Sequence, residues 1–281
     1  VKTMIAMIVV LIVLMVCGMP IGFSLLLGSL AYFLSADASL NIIVQKMAMT
    51  VGDSFSMMAV PFFMFAGAVM NHSGITGQIF GFADKLVGHI RGGMGHANIL
   101  ASVIFAGMSG SAIADTGGLG AIELKAMKDA GYDDDFSLAI TGASSCIGPV
   151  IPPSVPFVMY GVIAGVSIGA LFMAGVVPGL CMALAMAIVV WYQAKKRGYE
   201  PHARAGIREI GHSFVHSFWG LLAPVILIGG IVTGVCTPTE AAVVAAAYSL
   251  IISFATHNIK IRDLPAIIDE TVKTTAMVML I

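Results

Sequence analysis

Residues 141–156 have the sequence TGASSCIGPVIPPSVP, with prolines at 149, 152, 153 and 156. Proline has no N–H donor and its ring clashes with the preceding turn, so four prolines in eight residues cannot form one continuous helix. This stretch nevertheless lies in a run without Asp, Glu, Lys or Arg that extends from Phe136 to Ala194. The sequence therefore predicts a helix broken at membrane depth. Such a break is tolerated only where it lines a cavity or is buried in protein.

The charges of the whole chain are few and unevenly placed. Charged residues make up 10% of the 281 residues and hydrophobic residues 58%, whereas soluble domains carry about 25% charge. Further long stretches without a charged residue include 3–36, 92–114 and 210–239. Stretches of this length suit a hydrocarbon core about 30 Å thick, so we predict an all-α polytopic membrane protein in a lipid bilayer. The net charge of -1 provides no basic field, and we expect no nucleic-acid partner.

A second interrupted stretch, residues 107–120, has the sequence GMSGSAIADTGGLG. Arg91 precedes it and Lys125 follows it, and the positive-inside rule places both on the cytoplasmic side. Because the tip from Ser109 to Ser111 has no charge, a re-entrant hairpin fits better than two ordinary spans with a small external turn, which is the alternative. The hydroxyl and carbonyl oxygens of the two serines are hard ligands that suit an alkali cation.

Asp115 is the only acid within that hairpin stretch. An ionisable residue at membrane depth is a functional candidate, but Asp115 could instead cap the following half-helix through its carboxylate. An embedded enzyme would need paired acids, a His cluster or a Ser-His dyad, and we expect no enzyme because Asp115 is alone at that depth. Outside the membrane, Asp133–Asp135 are predicted to form a solvated cytoplasmic turn and Glu240 to cap a helix N-terminus.

The two ends of the chain show a weak internal similarity. Gly18-Met19-Pro20 interrupts the apolar residues 4–34, which form either one long kinked helix or a tight pair, and residues 37–56 are predicted to lie along the interface. A similar Gly/Pro break at 234–238 also precedes an apolar run and then a polar stretch. By the positive-inside rule, the basic residues within 85–91, 125–128, 195–197 and 260–262 are cytoplasmic. They give the two similar segments opposite orientations, which indicates inverted repeats; chance similarity between apolar segments is the alternative. The N-terminus is then periplasmic.

Five segments resemble the large membrane subunit of tripartite ATP-independent periplasmic (TRAP) transporters: 18–21, 109–112, 126–133, 143–154 and 238–241. The most specific is Ser-Ser-x-Ile-Gly-Pro-x-Ile-Pro-Pro-Ser. The resemblance implies an inverted-repeat, elevator-type transporter of the bacterial inner membrane. It would import an organic acid anion, such as a dicarboxylate or sialic acid, with sodium. A periplasmic substrate-binding protein and a small membrane subunit would be its partners. A receptor-independent sodium-coupled carboxylate permease of a related elevator fold is the alternative.

The resemblance also implies where sodium, the one expected cofactor, binds. The implied sodium site, largely of backbone oxygens, consists of Ser109, Ser111, Gly148, Ile151 and Pro153. The candidates for the substrate path are Asp115, Ser144, Ser145 and Ser154. We expect no other metal: His212 and His216 could share a helix face, but no acidic third ligand is expected beside them.

The domain organisation follows from these assignments. Residues 1–93 are expected to form scaffold helices and an interfacial arm, 94–168 the transport unit, 169–215 a long scaffold helix with a cytoplasmic connector, and 216–281 the start of the second repeat. Family members continue through a second hairpin and a second broken helix. Because this sequence stops at Ile281 within an apolar run, we expect a transporter truncated in its second repeat, without the second sodium site and half of the substrate site.

Overall fold

The computed structural model describes residues 2–52, 54–201 and 203–280. Within these ranges the chain is built of helices joined by turns and contains no strand. It divides into two compact units, residues 1–55 with 272–281 and residues 56–271. Ile281, on which the expected truncation rests, lies outside the described residues.

The first unit contains the N-terminal helices α1 (Lys2–Val16), α2 (Ile21–Ser35) and α3 (Asn41–Gly52). α1 and α2 pack against each other: a β-carbon placed on Gly28 would lie 3.4 Å from the β-carbon of Leu11. The break at Gly18-Met19-Pro20 therefore separates a tight pair of helices, and a single kinked helix is excluded. The polar stretch that follows, residues 37–56, contains α3, and its position along the membrane interface stays a prediction.

The second unit contains most of the longer helices. They are α4 (Ala59–His72), α5 (Ile75–Val87), α6 (Gly93–Ser109), α7 (Ala112–Ala114), α8 (Gly120–Asp129), α9 (Asp134–Ser145), α10 (Val155–Ala164), α11 (Ile168–Arg197), α12 (Ile207–Val232), α13 (Pro238–Ala255) and the beginning of α14 (Leu264–Leu280). A π turn, Asp115–Leu119, joins α7 to α8.

Several helices have the dimensions of membrane spans. Among the described residues, four segments are long and apolar enough to cross a bilayer: Phe55–His72, Ile168–Arg197, Ile207–Val232 and Pro238–Ala255. The last begins with a capping box in which the Thr237 N–H donates to Glu240 Oε2 at 2.7 Å and the Glu240 N–H donates to Thr237 Oγ1 at 3.3 Å. The predicted capping role of Glu240 is thus confirmed, and the helices support a multi-pass membrane protein.

α6 lies in the middle of the second unit. Phe105 is fully buried, and two glycines of α6 allow neighbouring helices to approach closely. A β-carbon on Gly107 would lie 2.5 Å from Pro224 of α12, and one on Gly95 would lie 2.8 Å from Val190 of α11. The hairpin stretch therefore starts from a helix that is enclosed by protein.

Candidate functional site

The predicted hairpin tip is a short break between helices. α6 ends at Ser109, and Gly110 has a left-handed φ of 59°. A residue with a β-carbon is strained there, which explains the glycine. Ser111 then caps the next helix, because its hydroxyl accepts a hydrogen bond from the Ala114 N–H at 3.4 Å. The chain continues through α7, the π turn and α8.

The predicted broken helix is also a break between two helices. α9 ends at Ser145, and α10 starts only at Val155, with a cis peptide bond between Pro152 and Pro153. Ser154 closes the break: its hydroxyl accepts from the Phe157 N–H at 3.2 Å and donates to the Pro149 carbonyl. The clustered prolines thus interrupt the helix where the sequence predicts.

The hairpin tip and the break touch each other. The Val155 N–H donates to the Gly110 carbonyl at 3.2 Å, and a β-carbon on Gly110 would overlap the carbonyl of Pro153. A β-carbon on Gly148 would lie 3.4 Å from the carbonyl oxygen of Ser111. The backbones of the two interrupted stretches, including predicted sodium ligands from each, are therefore in contact.

Neighbouring helices enclose this junction. Ser109 faces Gly67 of α4, where an added β-carbon would lie 3.3 Å from the Ser109 α-carbon. Ile151, which is 6% exposed, packs on Gly179 of α11, where a β-carbon would overlap its side chain. Burial in protein is the condition under which irregular backbone is tolerated at membrane depth.

Buried polar atoms without partners lie on the hairpin. Ser109 is fully buried and Asp115 is 1% exposed, and within the described part of the chain Ser109 Oγ and both Asp115 carboxylate oxygens have no hydrogen-bond partner. The Ser102 hydroxyl lies beside Asp115 without forming a well-shaped hydrogen bond. The interpretation of Asp115 as a helix cap is wrong, since its carboxylate accepts no N–H. Unpaired buried oxygens are costly unless a ligand or proton satisfies them.

A polar network that the sequence analysis missed joins the hairpin to α9. Asn98 Nδ2 donates to Glu123 Oε2 at 2.7 Å and to Thr141 Oγ1 at 2.8 Å, and the Ser144 hydroxyl donates to Asn98 Oδ1 at 2.6 Å. Glu123 is only 1% exposed, so Asp115 is not the only buried acid of the hairpin. No local signal in the sequence marked this pairing, because Asn98 and Glu123 are 25 residues apart and lie on different helices.

The other three substrate-path candidates, Ser144, Ser145 and Ser154, form hydrogen bonds within the protein. Ser144 belongs to the network, the Ser145 hydroxyl donates to the Thr141 carbonyl at 2.8 Å, and Ser154 closes the break. These hydroxyls lie on both sides of the proline-rich segment, and their contact with a substrate stays a prediction.

A second polar cluster lies at the start of α9. Arg197 Nη1 donates to Asp133 at 2.7 Å, and its two terminal nitrogens bind Asp135 at 3.0 and 2.9 Å. The Tyr199 hydroxyl donates to Asp133 at 2.7 Å, and its ring stacks on Tyr132 with the centroids 4.2 Å apart. Hydrogen bonds from Tyr199 and then Arg197 lower the pKa of Asp133, and Arg197 lowers the pKa of Asp135. The three acids of the predicted turn are exposed, but two of them lie in the first turn of α9, and each of the three has a basic partner: Arg197 for Asp133 and Asp135, and Lys128 at 3.6 Å for Asp134.

The histidine pair has an acidic neighbour after all. Glu209 lines the same groove as His212 and His216, contrary to the expectation from the sequence. Among the described residues, however, no three potential ligands lie close enough together to hold a metal ion.

This chain belongs to the family of the DctM component of the tripartite ATP-independent periplasmic transporter, whose profile matches residues 8–281. The family resemblance predicted from the motifs is thereby confirmed. Its members are permease proteins of transporters and not enzymes, as expected.

Individual relatives show how closely the sequence follows this family. The chain is 48% identical over 269 residues to the sialic acid TRAP transporter large permease protein SiaM of Vibrio cholerae. The matched region covers 95% of this chain and 63% of that protein. It is 50% identical over 241 residues to the sialic acid TRAP transporter permease protein SiaT of Haemophilus influenzae, covering 85% and 39%. It is 40% identical over 266 residues to the 2,3-diketo-L-gulonate TRAP transporter large permease protein YiaN of Escherichia coli, covering 93% and 62%. The chain thus spans less than two thirds of each of these relatives.

Proposed function

We propose that this chain is part of the large permease subunit of a sodium-coupled importer of an organic acid anion. Family membership and the names of the relatives support this class, because sialic acid and 2,3-diketo-L-gulonate are both carboxylic acids. The observation that carries the proposal is the contact between the tip at Gly110 and the break at Pro153, beside buried oxygens without partners.

Sodium binds at this junction in our proposal. Ser109 supplies its hydroxyl, which is buried and has no other partner among the described residues. Backbone oxygens complete the site, contributed by Ser111, Gly148, Ile151 and Pro153. Broken helices supply such ligands because their ends expose carbonyl groups that no helical N–H satisfies. Asp115 adds negative charge on the same hairpin and extends the site towards the substrate.

The hairpin and the broken helix move as one body in an elevator mechanism. The Asn98 network supports this, since a change in the distance between the hairpin and α9 would break buried hydrogen bonds. Residues 94–168 form the moving unit, and the long helix α11 belongs to the scaffold. The two Gly/Pro breaks belong to inverted repeats.

The importer works with two partners in this proposal. A periplasmic substrate-binding protein delivers the anion, and a small membrane subunit packs against the large one, consistent with the family's tripartite organisation. The complex lies in the bacterial inner membrane, and the N-terminus of this chain is periplasmic.

Uptake by the complete transporter in proteoliposomes tests the coupling. With the binding protein present, labelled sialic acid or another carboxylate should accumulate only under an inward sodium gradient. Undiminished uptake without sodium contradicts the coupling, and full uptake without the binding protein supports the receptor-independent permease.

Two variants test the site itself. Ser109→Ala removes one ligand and should raise the sodium concentration for half-maximal uptake about tenfold, which corresponds to about 1.4 kcal/mol. Gly148→Leu should abolish transport without preventing assembly, because its side chain would enter the junction with Ser111. Ser249→Ala is the matched control, since that buried hydroxyl bonds only to a carbonyl of its own helix at 2.8 Å. Equal sodium dependence in Ser109→Ala and the control removes Ser109 from the site.

A further inference from the structure

A groove of about 720 Å³ lies between the last turn of α5 and the first three turns of α12. Its polar lining consists of Lys85, Arg208, Glu209, His212, Ser213 and His216. It is formed by other helices than those of the hairpin and the break, and the proposed transport function does not use it.

The groove presents mainly hydrogen-bond donors and positive charge. Arg208, His212 and His216 follow one another at intervals of four residues and so form one stripe on α12. Within the described chain, none of these three side chains has a hydrogen bond or an ion pair. The one acid in the groove lining, Glu209, has a carboxylate oxygen 4.0 Å from Lys85 Nζ, and the two side chains are 62% and 46% exposed. A positive charge therefore remains available to an anionic ligand.

The length of α12 places the groove at headgroup depth. Its 26 residues span about 39 Å at about 1.5 Å per residue, whereas the hydrocarbon core is about 30 Å thick. All charged and histidine residues of α12 lie in its first ten positions. The excess length is therefore at this end, where the helix meets the phosphate layer.

An apolar stripe runs beside the basic one on the same helix. Ile207 is 91% exposed, Val215 71% and Trp219 47%. Their spacings of eight and four residues place them on one face of the helix. Side chains of this kind suit acyl chains, and tryptophan is enriched at the membrane interface. A ligand that fits both stripes has an anionic head and an apolar tail.

We propose that this groove binds the phosphate headgroup of an anionic phospholipid. Arg208 binds two phosphate oxygens through its guanidinium fork, Lys85 contributes a second positive charge, and the imidazoles and Ser213 donate hydrogen bonds. The acyl chains lie along Val215 and Trp219. The lipid holds the ends of α5 and α12 together at the membrane surface.

Lipid titration of the purified, delipidated transporter in detergent tests this site. Native mass spectrometry would count bound phosphatidylglycerol, with phosphatidylcholine as the neutral comparison. The double variant Lys85→Gln/Arg208→Gln should bind phosphatidylglycerol about twenty-five-fold more weakly, at about fivefold for each charge removed. Arg262→Gln removes an exposed charge outside the groove and is the matched control. It should change the affinity by less than about twofold, because an exposed charge away from the binding site contributes little.

A variant with the opposite effect tests the proposal even if the double variant fails to fold. Glu209→Gln removes the only acid of the groove and should tighten binding of phosphatidylglycerol about fivefold. Equal affinities in the double variant and in Arg262→Gln, or unchanged affinity in Glu209→Gln, overturn the proposal. Displacement of the lipid by inorganic phosphate at equal concentration also overturns it, because the site would then bind a free anion.

Discussion

Asn98 Nδ2 donates a hydrogen bond of 2.7 Å to Glu123 Oε2, which joins the two arms of the hairpin. The same amide group reaches Thr141 of α9 at 2.8 Å. Both partners lie in the protein interior, where a hydrogen bond is stronger than in water and an unpaired group is more costly. Asn98 therefore connects the hairpin with the helix that leads to the proline-rich break.

Replacing Asn98 should destabilise the protein markedly. Asn98→Ala leaves the Glu123 carboxyl buried without its partner, and the Ser144 hydroxyl keeps only its bond to the Thr141 carbonyl at 3.1 Å. The expected cost is about 2–4 kcal/mol. Unfolding of the purified protein in a denaturing-detergent titration measures this loss. Ser249→Ala should lose less than about 1 kcal/mol, because its hydroxyl bonds only within its own helix. Equal losses in the two variants would show that the network does not stabilise the fold.

Two replacements of Glu123 separate its hydrogen bond from its charge. Glu123→Gln keeps the shape and an acceptor oxygen for Asn98, so its free energy of unfolding should stay within about 1 kcal/mol of the parent. Glu123→Ala removes the acceptor and leaves a cavity, and should lose about 2–3 kcal/mol. The same detergent titration compares them. A loss in the Gln variant as large as in the Ala variant would mean that the negative charge itself is needed, as when it compensates a bound cation.

The junction between tip and break should not tolerate a methyl group at Gly110. Gly110→Ala places a β-carbon at a left-handed φ of 59° and against the Pro153 carbonyl. The backbone strain alone costs about 1–2 kcal/mol. Gly142→Ala is the control, because α9 has open space there and alanine favours helix by about 1 kcal/mol. In thermal unfolding, the melting temperature of Gly142→Ala should equal or exceed that of the parent, and the melting temperature of Gly110→Ala should be well below it. The reverse order contradicts the close contact.

The Arg197 cluster should make stability depend on pH in the acid range. The pKa values of Asp133 and Asp135 are lowered in the folded protein. The ionised carboxylates therefore stabilise the folded state fully at a pH above their pKa in the unfolded chain, about 3.9. This contribution to the free energy of unfolding is lost as the pH falls through their lower pKa values in the folded protein. Arg197→Gln should therefore lower the melting temperature at pH 6, and the difference from the parent should shrink below about pH 4.

A single surface pair provides the control for that experiment. Lys128 Nζ is 3.6 Å from Asp134 Oδ2, and the two side chains are 71% and 69% exposed. Lys128→Gln should hardly change the melting temperature, because isolated exposed pairs contribute little. A gap between Arg197→Gln and the parent that stays constant down to pH 2.5, about 1.4 units below the ordinary aspartate pKa, would contradict the assignment.

The sequence predicted those features that depend on one residue type and its neighbours. Proline cannot donate within a helix, so the cluster at 149–156 predicted the break that separates α9 from α10. The uncharged stretches predicted membrane spans because ionised side chains are costly in hydrocarbon. The tip was predicted from serine and glycine between apolar runs, and α6 does end at Ser109.

Features that depend on distant partners could not be predicted in this way. Glu123 stands near Lys125 and Lys128 in the sequence, and only helix packing shows that it is buried beside Asn98. Arg197 is 64 residues from Asp133, so the acidic turn gave no sign of its partner. The groove beside the histidines of α12 could likewise not be predicted, because it forms only where α5, with Lys85, packs beside α12.

The sequence alone determined that this chain is a helical membrane protein of the DctM family, with two interrupted segments at fixed positions. Only the tertiary structure decided that these segments meet, with Gly110 against Pro153 and Gly148 near Ser111. The physical reason is that a helix is interrupted by the backbone properties of individual residues such as proline and glycine, which the sequence gives directly. The choice of contact partner depends on how whole helices pack, and apolar helices of similar composition do not specify their neighbours locally.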